Sequence, residues 1–256
     1  MTHLRVPLVT TQTPPREDST VTQLKATVLR GLRASWLVLA ITSVIALVLL
    51  LVLAKAADDV TEDDTLTALD RPIASGIVGV RTGASTSAME VISAITEPVL
   101  VLTLCLIAAA FIWRKAHDGF GALSLMTAVG LAAFASFVGK AAFARNRPPA
   151  AWAVSPEASS SFPSAHVAVI VAALTVLLWW GVPRVPTTWR IALVTGSVSL
   201  CGLVAGSRLY LGAHWLTDVF AGLVVGLLAA VVGIGAGETL RSAQRSGASS
   251  GSVTAR

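Results

Sequence analysis

A short polar stretch between two long apolar runs carries the residue types best suited to chemistry. Residues 207–218 read Ser-Arg-Leu-Tyr-Leu-Gly-Ala-His-Trp-Leu-Thr-Asp and contain Arg208, His214 and Asp218. Charged groups in such a setting are costly and are candidates for function by default. His214 and Asp218 are four residues apart, so a helix would place them on one face, where the carboxylate can hold the imidazole. A histidine held by a carboxylate beside an arginine suits phosphoryl transfer.

A second polar segment ends an upstream apolar run. Lys140 and Arg147 are seven residues apart, nearly two helical turns, so their side chains can point the same way. Pro148 disfavours helix for the residue before it, which predicts a helix end near Arg147. Taken alone, this pair favours a membrane anchor, with both side chains reaching the lipid headgroups.

A third polar segment, residues 159–166, leads directly into another apolar run. Ser164 is placed to cap the helix that follows, and the free amides of a first helical turn can bind an anion. His166 falls in that turn. An ordinary helix cap with an interfacial histidine is an equally good interpretation of this segment alone. The three segments together supply three cations, a helix N-terminus and two histidines, which favours one reactive anion site.

Long apolar runs place these segments in a membrane protein. Of the 256 residues, 54% are hydrophobic and 13% are charged, whereas soluble domains have about 25% charged residues. Six runs approach the roughly 20 residues that a helix needs to cross a bilayer. They predict an all-α integral membrane bundle of six transmembrane helices, with spans at 36–54, 92–113, 120–139, 166–182, 191–207 and 215–236.

The basic residues predict the orientation of this bundle. If the N-terminus is cytoplasmic, the inner segments hold 12 of the 19 Lys and Arg residues, and three of the seven outer ones are the candidate site cations. The positive-inside rule then predicts a multi-pass protein of the cytoplasmic membrane, with both termini inside and the site facing outward. Because this bias accounts for the net charge of +5, the charge does not indicate a nucleic-acid partner.

The remaining sequence predicts one folded region and two tails. Residues 1–30 and 239–256 are predicted to be disordered cytoplasmic tails that flank a six-helix membrane domain at 31–238. The first apolar run is longer than a signal-peptide core, which favours an uncleaved signal anchor over a cleaved signal. Cys105 and Cys201 fall within spans and are predicted to be small buried side chains without disulfide or metal roles.

Three smaller features have structural interpretations. Gly222 and Gly226 have the spacing of close helix packing. Glu97 either reaches the mouth of the site or simply marks a later helix start, and residues 66–80 predict a short interfacial helix. The first outer loop opens with acidic residues that favour a solvated loop over a cation site: Asp58, Asp59, Glu62, Asp63 and Asp64.

These residues give the sequence a resemblance to a known family. Three motifs match the three-part signature of the type 2 phosphatidic acid phosphatases, or lipid phosphate phosphatases, in order and in spacing. This family is related to vanadium haloperoxidases and class A acid phosphatases. The signature covers residues 140–218, and the six-helix plan extends the resemblance over roughly 30–237. The motifs are Lys140 with Arg147-Pro148, then Pro163-Ser164-Ala165-His166, then Ser207-Arg208 with His214 and Asp218.

The resemblance implies a role for each site residue. His214 would attack phosphorus and form a phosphohistidine, Asp218 would fix its tautomer, and His166 would protonate the leaving group and then activate water. No metal or other cofactor is implied. Ala165 stands where the family usually has glycine, so we expect altered geometry or substrate preference rather than loss of activity. The phosphate would be held by Lys140, Arg147, Ser164, Ala165 and Arg208.

The sequence therefore predicts a membrane phosphatase that acts on a lipid phosphate or diphosphate. Polyprenyl diphosphate such as undecaprenyl diphosphate, phosphatidate and phosphatidylglycerol phosphate are the candidate substrates. Two alternatives use the same scaffold. One is phosphotransfer to a lipid or glycan hydroxyl, and the other is a non-catalytic binder or transporter of lipid phosphates. The intact pair of histidines disfavours pure binding, because binding needs cations but no nucleophile and acid.

Overall fold

The computed structural model describes residues 17–62, 67–154 and 156–251. Within these residues the chain forms α-helices and short 3-10 turns, without a strand, which confirms the predicted all-α class. The 3-10 turns are Thr67–Leu69, Ala150–Trp152 and Val182–Arg184. The helices are α1 (Glu17–Glu62), α2 (Asp70–Gly79), α3 (Gly83–Ile95), α4 (Pro98–Arg114), α5 (Gly119–Phe143), α6 (Ala165–Gly181), α7 (Thr187–Tyr210) and α8 (Leu216–Gly251).

The helices account for the six predicted spans, although the second span is broken. Among the described residues, α1, α5, α6, α7 and α8 each contain a segment long and apolar enough to cross a membrane. Helices α3 and α4 together provide the remaining span, the second in chain order, as a pair bent by 48°. The break occurs because Pro98, which has no backbone N–H to continue α3, starts α4 at its first position.

Helix α6 lies in the interior of the bundle. It packs against α4, α5, α7 and α8. Half of its most apolar segment is buried inside the protein, whereas none of the most apolar segment of α1 is buried. Close contact between α6 and α8 depends on two glycines. A Cβ at Gly222 would lie 2.7 Å from the Ser164 carbonyl oxygen, and one at Gly226 would lie 2.6 Å from that of Ala168. The predicted small-residue packing of α8 is confirmed.

Helix extends into segments that the sequence predicted to be disordered. Helix α1 begins at Glu17 and α8 ends at Gly251, so residues 17–30 and 239–251 are helical. Neither segment contains proline, and extending an existing helix is much easier than nucleating a new one. The rest of both predicted tails, with Asp63 and Asp64 of the acidic cluster, lies outside the described residues.

Of two smaller predictions, the short helix is confirmed in the described part, and the burial of both cysteines is confirmed only for Cys105. Helix α2 and the 3-10 turn before it form the short helical segment expected within residues 66–80. Cys105 is buried, Cys201 is half-buried, and both thiols are free.

One end of the bundle is held by an acidic residue between two arginines. The Asp118 carboxylate, at the start of α5, accepts hydrogen bonds from Arg184 at 3.0 Å and Arg241 at 2.7 Å. Trp180 of α6 donates to the same carboxylate at 3.1 Å. These contacts join α5, α6 and α8 at the end opposite the three polar segments.

Candidate active site

The three predicted polar segments meet at one end of the bundle. Near the end of α5, the Lys140 ammonium donates to the Ser160 carbonyl oxygen at 2.6 Å, so the first segment contacts the second. Arg147 Nη1 lies 3.4 Å from His214 Nε2, so the first also contacts the third. Arg208, near the end of α7, is 3% exposed. The structure therefore places Arg147 beside His214 and brings Lys140 and Arg208 to the same end of the bundle.

His214 and Asp218 are neighbours, but not as residues of one helix. Helix α7 ends at Tyr210, His214 lies in the loop that follows, and α8 begins only at Leu216. This corrects the prediction that both lie on one helical face. The loop turns at Gly212, whose φ of 67° is left-handed, and a Cβ there would collide with the Trp152 carbonyl oxygen.

The two side chains face each other without a hydrogen bond. His214 Nδ1 lies 3.5 Å from Asp218 Oδ2, within ion-pair range but beyond an ordinary hydrogen bond, and Nδ1 makes no hydrogen bond in this geometry. The same carboxylate oxygen accepts from the Trp215 amide at 2.9 Å. Asp218 therefore fixes the loop backbone beside His214 as well as facing its ring.

The His214 ring is neutral near pH 7. Burial lowers the pKa of His214 to about 4, although the neighbouring Asp218 carboxylate acts to raise it. Since Nδ1 faces Asp218, the nitrogen directed toward Arg147 and the other cations is Nε2. A neutral Nε2 can present a lone pair to an electrophile held by those cations.

The position of Arg147 is fixed by loop backbone. Its Nε donates to the Ser159 carbonyl oxygen at 2.7 Å, and its Nη1 donates to the Ala213 carbonyl oxygen at 2.5 Å. Ser159 and Ala213 lie in the second and third polar segments. The guanidinium thus connects two loops and holds its cationic head next to His214.

Glu157 occupies the space between two of the predicted phosphate-binding arginines. Its Oε2 lies 2.7 Å from Arg147 Nη2, and its Oε1 accepts a hydrogen bond from Arg208 Nη2. Burial alone would raise the pKa of the Glu157 carboxyl, but Arg208 and Arg147 outweigh it and hold the pKa below its usual value. An ionised carboxylate therefore sits where a bound phosphate would be expected.

A buried network supports Asp218 from behind. Arg145 Nη1 donates to Asp218 Oδ1 at 2.6 Å, and its Nη2 donates to Asp70 Oδ2 at 2.7 Å. Asp70, in the first turn of α2, also accepts from the Thr217 amide at 2.9 Å and hydroxyl at 2.6 Å. Both carboxylates are at least 95% buried. Helix α2 is therefore linked to the Asp218 carboxylate through Arg145.

His166 lies in the first turn of α6 and faces Glu97. Its Nε2 is 3.0 Å from Glu97 Oε2, across a cavity of about 240 Å³ that Glu157 and Arg208 also line. Glu97 is the residue before α4, with Pro98 at the first helical position. Both interpretations of Glu97 from the sequence therefore hold, because it starts a helix and reaches the site.

Ser164 caps α6 as predicted, but its side chain does not bond to the helix. The hydroxyl is buried without a hydrogen-bond partner, and the Ser164 amide donates to the Asp218 carbonyl oxygen at 3.0 Å. Ala165 is half-buried as the first residue of α6. The amides available to an anion here are thus those of the first turn, and the Ser164 hydroxyl is an unused donor beneath them.

The arrangement is suited to binding a tetrahedral anion next to a nucleophile. Three cationic side chains surround a neutral imidazole, and a second histidine lines the adjoining cavity. In the described part of the chain, no group of three or more His, Cys, Asp or Glu residues is placed to hold a metal ion.

The part of the chain that contains these residues is similar to known proteins. Residues 121–240, which contain all the predicted site residues, match the PAP2 superfamily. Phosphatidylglycerophosphatase B of Bacillus subtilis (strain 168) is 32% identical over 134 residues, which are 51% of this chain and 63% of that protein. The match thus spans less than two thirds of this relative.

Two solved membrane proteins are similar in structure. A transmembrane PAP2 type phosphatidylglycerolphosphate phosphatase from Bacillus subtilis has a TM-score of 0.66 and 27% identity, over 75% of this chain and 96% of that chain. LpxE of Aquifex aeolicus has a TM-score of 0.49 and 21% identity, over 65% of this chain and 94% of that chain. The first comparison supports a transmembrane PAP2 fold.

Three residues of the candidate site are not singled out by the sequence. Arg145 is in the same segment as the predicted cations, but it was counted only as an outer basic residue. The sequence feature that could have identified Arg145 is its position between Lys140 and Arg147. Asp70 and Glu157 lie in outer segments with no distinctive spacing, so only the fold reveals their partners.

Replacing Arg145 with methionine removes the charge between Asp70 and Asp218 at similar volume. We expect kcat for lipid phosphate hydrolysis to fall about 10- to 100-fold with little change in KM, because Asp218 loses its orientation. Arg145→Lys should recover part of the loss. The measurement is steady-state hydrolysis, with thermal unfolding in detergent recorded in parallel.

A matched control and a second variant separate orientation from folding. Arg71→Met alters an exposed neighbour in the same region and should leave kcat unchanged. If Arg145→Met unfolds, Asp70→Asn combined with Arg145→Met removes both charges and should recover stability without recovering kcat. Wild-type kcat in any folded variant that lacks Arg145 would contradict this role.

Replacing Glu157 with glutamine keeps the shape of the side chain and removes its charge. Because Arg147 and Arg208 would lose their internal anion, we expect inorganic phosphate to inhibit about tenfold more strongly. The inhibition constant for phosphate is the quantity to measure. Glu90→Gln is the control, since Glu90 lines the cavity between His166 and Glu97 without an ion pair to either arginine. Unchanged or weaker inhibition in Glu157→Gln would show that the carboxylate does not compete with phosphate.

Proposed function

We propose that this chain is an integral-membrane phosphatase that removes phosphate from a lipid phosphate or diphosphate. The observation that carries the proposal is the position of His214. Its Nε2 lies 3.4 Å from Arg147, its Nδ1 faces Asp218, and a second histidine lines the adjoining cavity. A binding protein would need the cations but neither histidine.

The first half-reaction forms a covalent intermediate. The lone pair of His214 Nε2 attacks phosphorus, a P–N bond forms, and the P–O bond to the lipid breaks with its electrons remaining on the lipid oxygen. His166 donates the proton that neutralises this oxygen. Asp218 balances the positive charge that appears on the His214 ring.

The second half-reaction regenerates the protein. A water oxygen attacks phosphorus, the P–N bond breaks, and its electron pair returns to His214 Nε2. His166, now neutral, accepts the proton that the water loses. Lys140, Arg147 and Arg208 stabilise the charge on the phosphoryl oxygens in both steps, with the first-turn amides of α6 near Ala165 and the Ser164 hydroxyl as further donors. The reaction needs no metal ion.

Phosphatidylglycerol phosphate is the leading candidate substrate. The relatives from Bacillus subtilis are named for phosphatidylglycerophosphate hydrolysis, and one of them supports the same transmembrane fold. Phosphatidate and polyprenyl diphosphates are further candidate substrates, because the proposed site residues would contact a phosphoryl group rather than a particular lipid.

Phosphate release from a panel of lipid phosphates tests the activity. In detergent with a chelator present, we expect turnover of at least one of phosphatidylglycerol phosphate, phosphatidate and undecaprenyl diphosphate. His214→Ala should abolish it, and His214→Gln provides a more conservative variant should the alanine variant unfold. Wild-type turnover by a folded His214 variant would exclude this nucleophile. Tight binding without turnover across the panel would favour the non-catalytic binder, and phosphate recovered on an added alcohol would favour phosphotransfer.

We further propose that the site faces outward from the cytoplasmic membrane, with both termini in the cytoplasm. The support is the excess of Lys and Arg in the segments at the opposite end, including Arg184 and Arg241 beside Asp118. The substrate would then be drawn from the outer leaflet.

Labelling of introduced cysteines tests this orientation. Ala84, at the site end of α3, and Ala116, between α4 and α5, are both exposed. In a chain whose own cysteines are replaced by alanine, Ala84→Cys should react with an impermeant maleimide in intact cells. Ala116→Cys should react only after permeabilisation. The reverse pattern would overturn the orientation.

A further inference from the structure

The broken span supplies a carboxylate to the second histidine of the site. His166 Nε2 and Glu97 Oε2 are 3.0 Å apart, and the imidazole is only 10% exposed. Among the described residues, Glu97 is the one side chain that contacts a His166 ring nitrogen at this distance. The site thus contains two histidine–carboxylate pairs, His214 with Asp218 and His166 with Glu97.

The break between α3 and α4 fixes where Glu97 stands. Its carbonyl oxygen accepts the Val101 amide at 2.9 Å, which anchors the backbone at the start of α4. Its side chain makes no capping hydrogen bond, so the carboxylate is free to extend toward His166. A continuous helix through this point would have no such turn, and the 48° bend places the turn at the site cavity.

The charges around His166 make a dedicated carboxylate necessary. The site cations Arg208 and Lys140 oppose a positive charge on the ring. Glu157 is already shared between Arg147 and Arg208. Glu97 forms no other ion pair among the described residues, and it is therefore the carboxylate available to balance an imidazolium at His166.

We propose that Glu97 is a positioning residue that makes His166 a competent general acid, an assignment that rests on the proposed phosphatase function. Glu97 holds the Nε2–H of His166 and stabilises its doubly protonated ring. The Nδ1–H proton then transfers to the leaving lipid oxygen as the P–O bond breaks. The resulting neutral ring keeps its Nε2–H, which stays hydrogen-bonded to Glu97. In the second half-reaction, the Nδ1 lone pair accepts the proton lost by water.

Leaving-group dependence distinguishes this role from a structural one. The alkoxide of a lipid phosphate must be protonated as it leaves, whereas p-nitrophenolate leaves readily without a proton. The parameter kcat/KM covers the steps up to departure of the leaving group, so the later attack of water does not affect it. An acid that is poorly positioned therefore slows only the lipid substrate by this measure.

Glu97→Gln is the test variant, assayed with dioctanoyl phosphatidylglycerol phosphate and with p-nitrophenyl phosphate. We expect kcat/KM to fall about 10- to 100-fold for the lipid and less than about threefold for the aryl phosphate. His166→Gln should show the same pattern. The double variant should lose little more than His166→Gln alone, because Glu97 acts through His166.

Glu90→Gln is the matched control. Glu90 is in α3, lines the same cavity, and has no contact with His166. It should leave the ratio of the two kcat/KM values unchanged. Because the Glu97 side chain is 56% exposed, its replacement should also leave the thermal unfolding temperature unchanged.

Two outcomes would overturn the role of Glu97. Equal losses on both substrates would indicate a general structural effect, and wild-type values on both would indicate no role. Absence of turnover by the unmodified chain, or full turnover by His214→Gln, would instead overturn the proposed function. The two failures are therefore distinguishable.

Discussion

Asp218 carries a completely buried carboxylate at the start of a membrane helix, and a charge in that position must be matched by donors. Arg145 and the Trp215 amide provide them, and His214 faces the remaining edge. Arg145 is in turn paired with Asp70, which holds α2 against the start of α8. Much of this end of the bundle can be understood as the set of partners that one buried charge needs.

The same requirement shapes the side of the site that faces the substrate. Arg147 and Arg208 would repel one another, and Glu157 lies between them with its carboxylate ionised. The Glu157 carboxylate thus offsets part of the positive charge of the site. In the proposed reaction, a bound phosphate would compete with this carboxylate for the two arginines, which would limit how tightly simple phosphate is held and leave more of the interaction for the transition state.

Hydropathy and the spacing of polar residues were sufficient to predict the six spans, the helix start at Ala165 and the clustering of Lys140, Arg147 and Arg208. These features follow from local rules. Asp70 could not be assigned because its partners are distant in sequence, and the role of Glu97 stayed open for the same reason. Glu157 follows Arg147 by ten residues, but it lies in an irregular loop whose path local rules do not give. The placement of His214 and Asp218 on one helix was wrong because Gly212 turns the chain and delays the start of α8.

The backbone hydrogen bond from Ser164 to Asp218 joins the first turns of α6 and α8, directly above the contact made by Gly222. His166 and Asp218 are consequently carried by two helices whose first turns are joined through the backbone. In the proposed reaction, the acid and the residue that supports the nucleophile would therefore keep a fixed separation. Differences between lipid headgroups would then have to be accommodated by other helices.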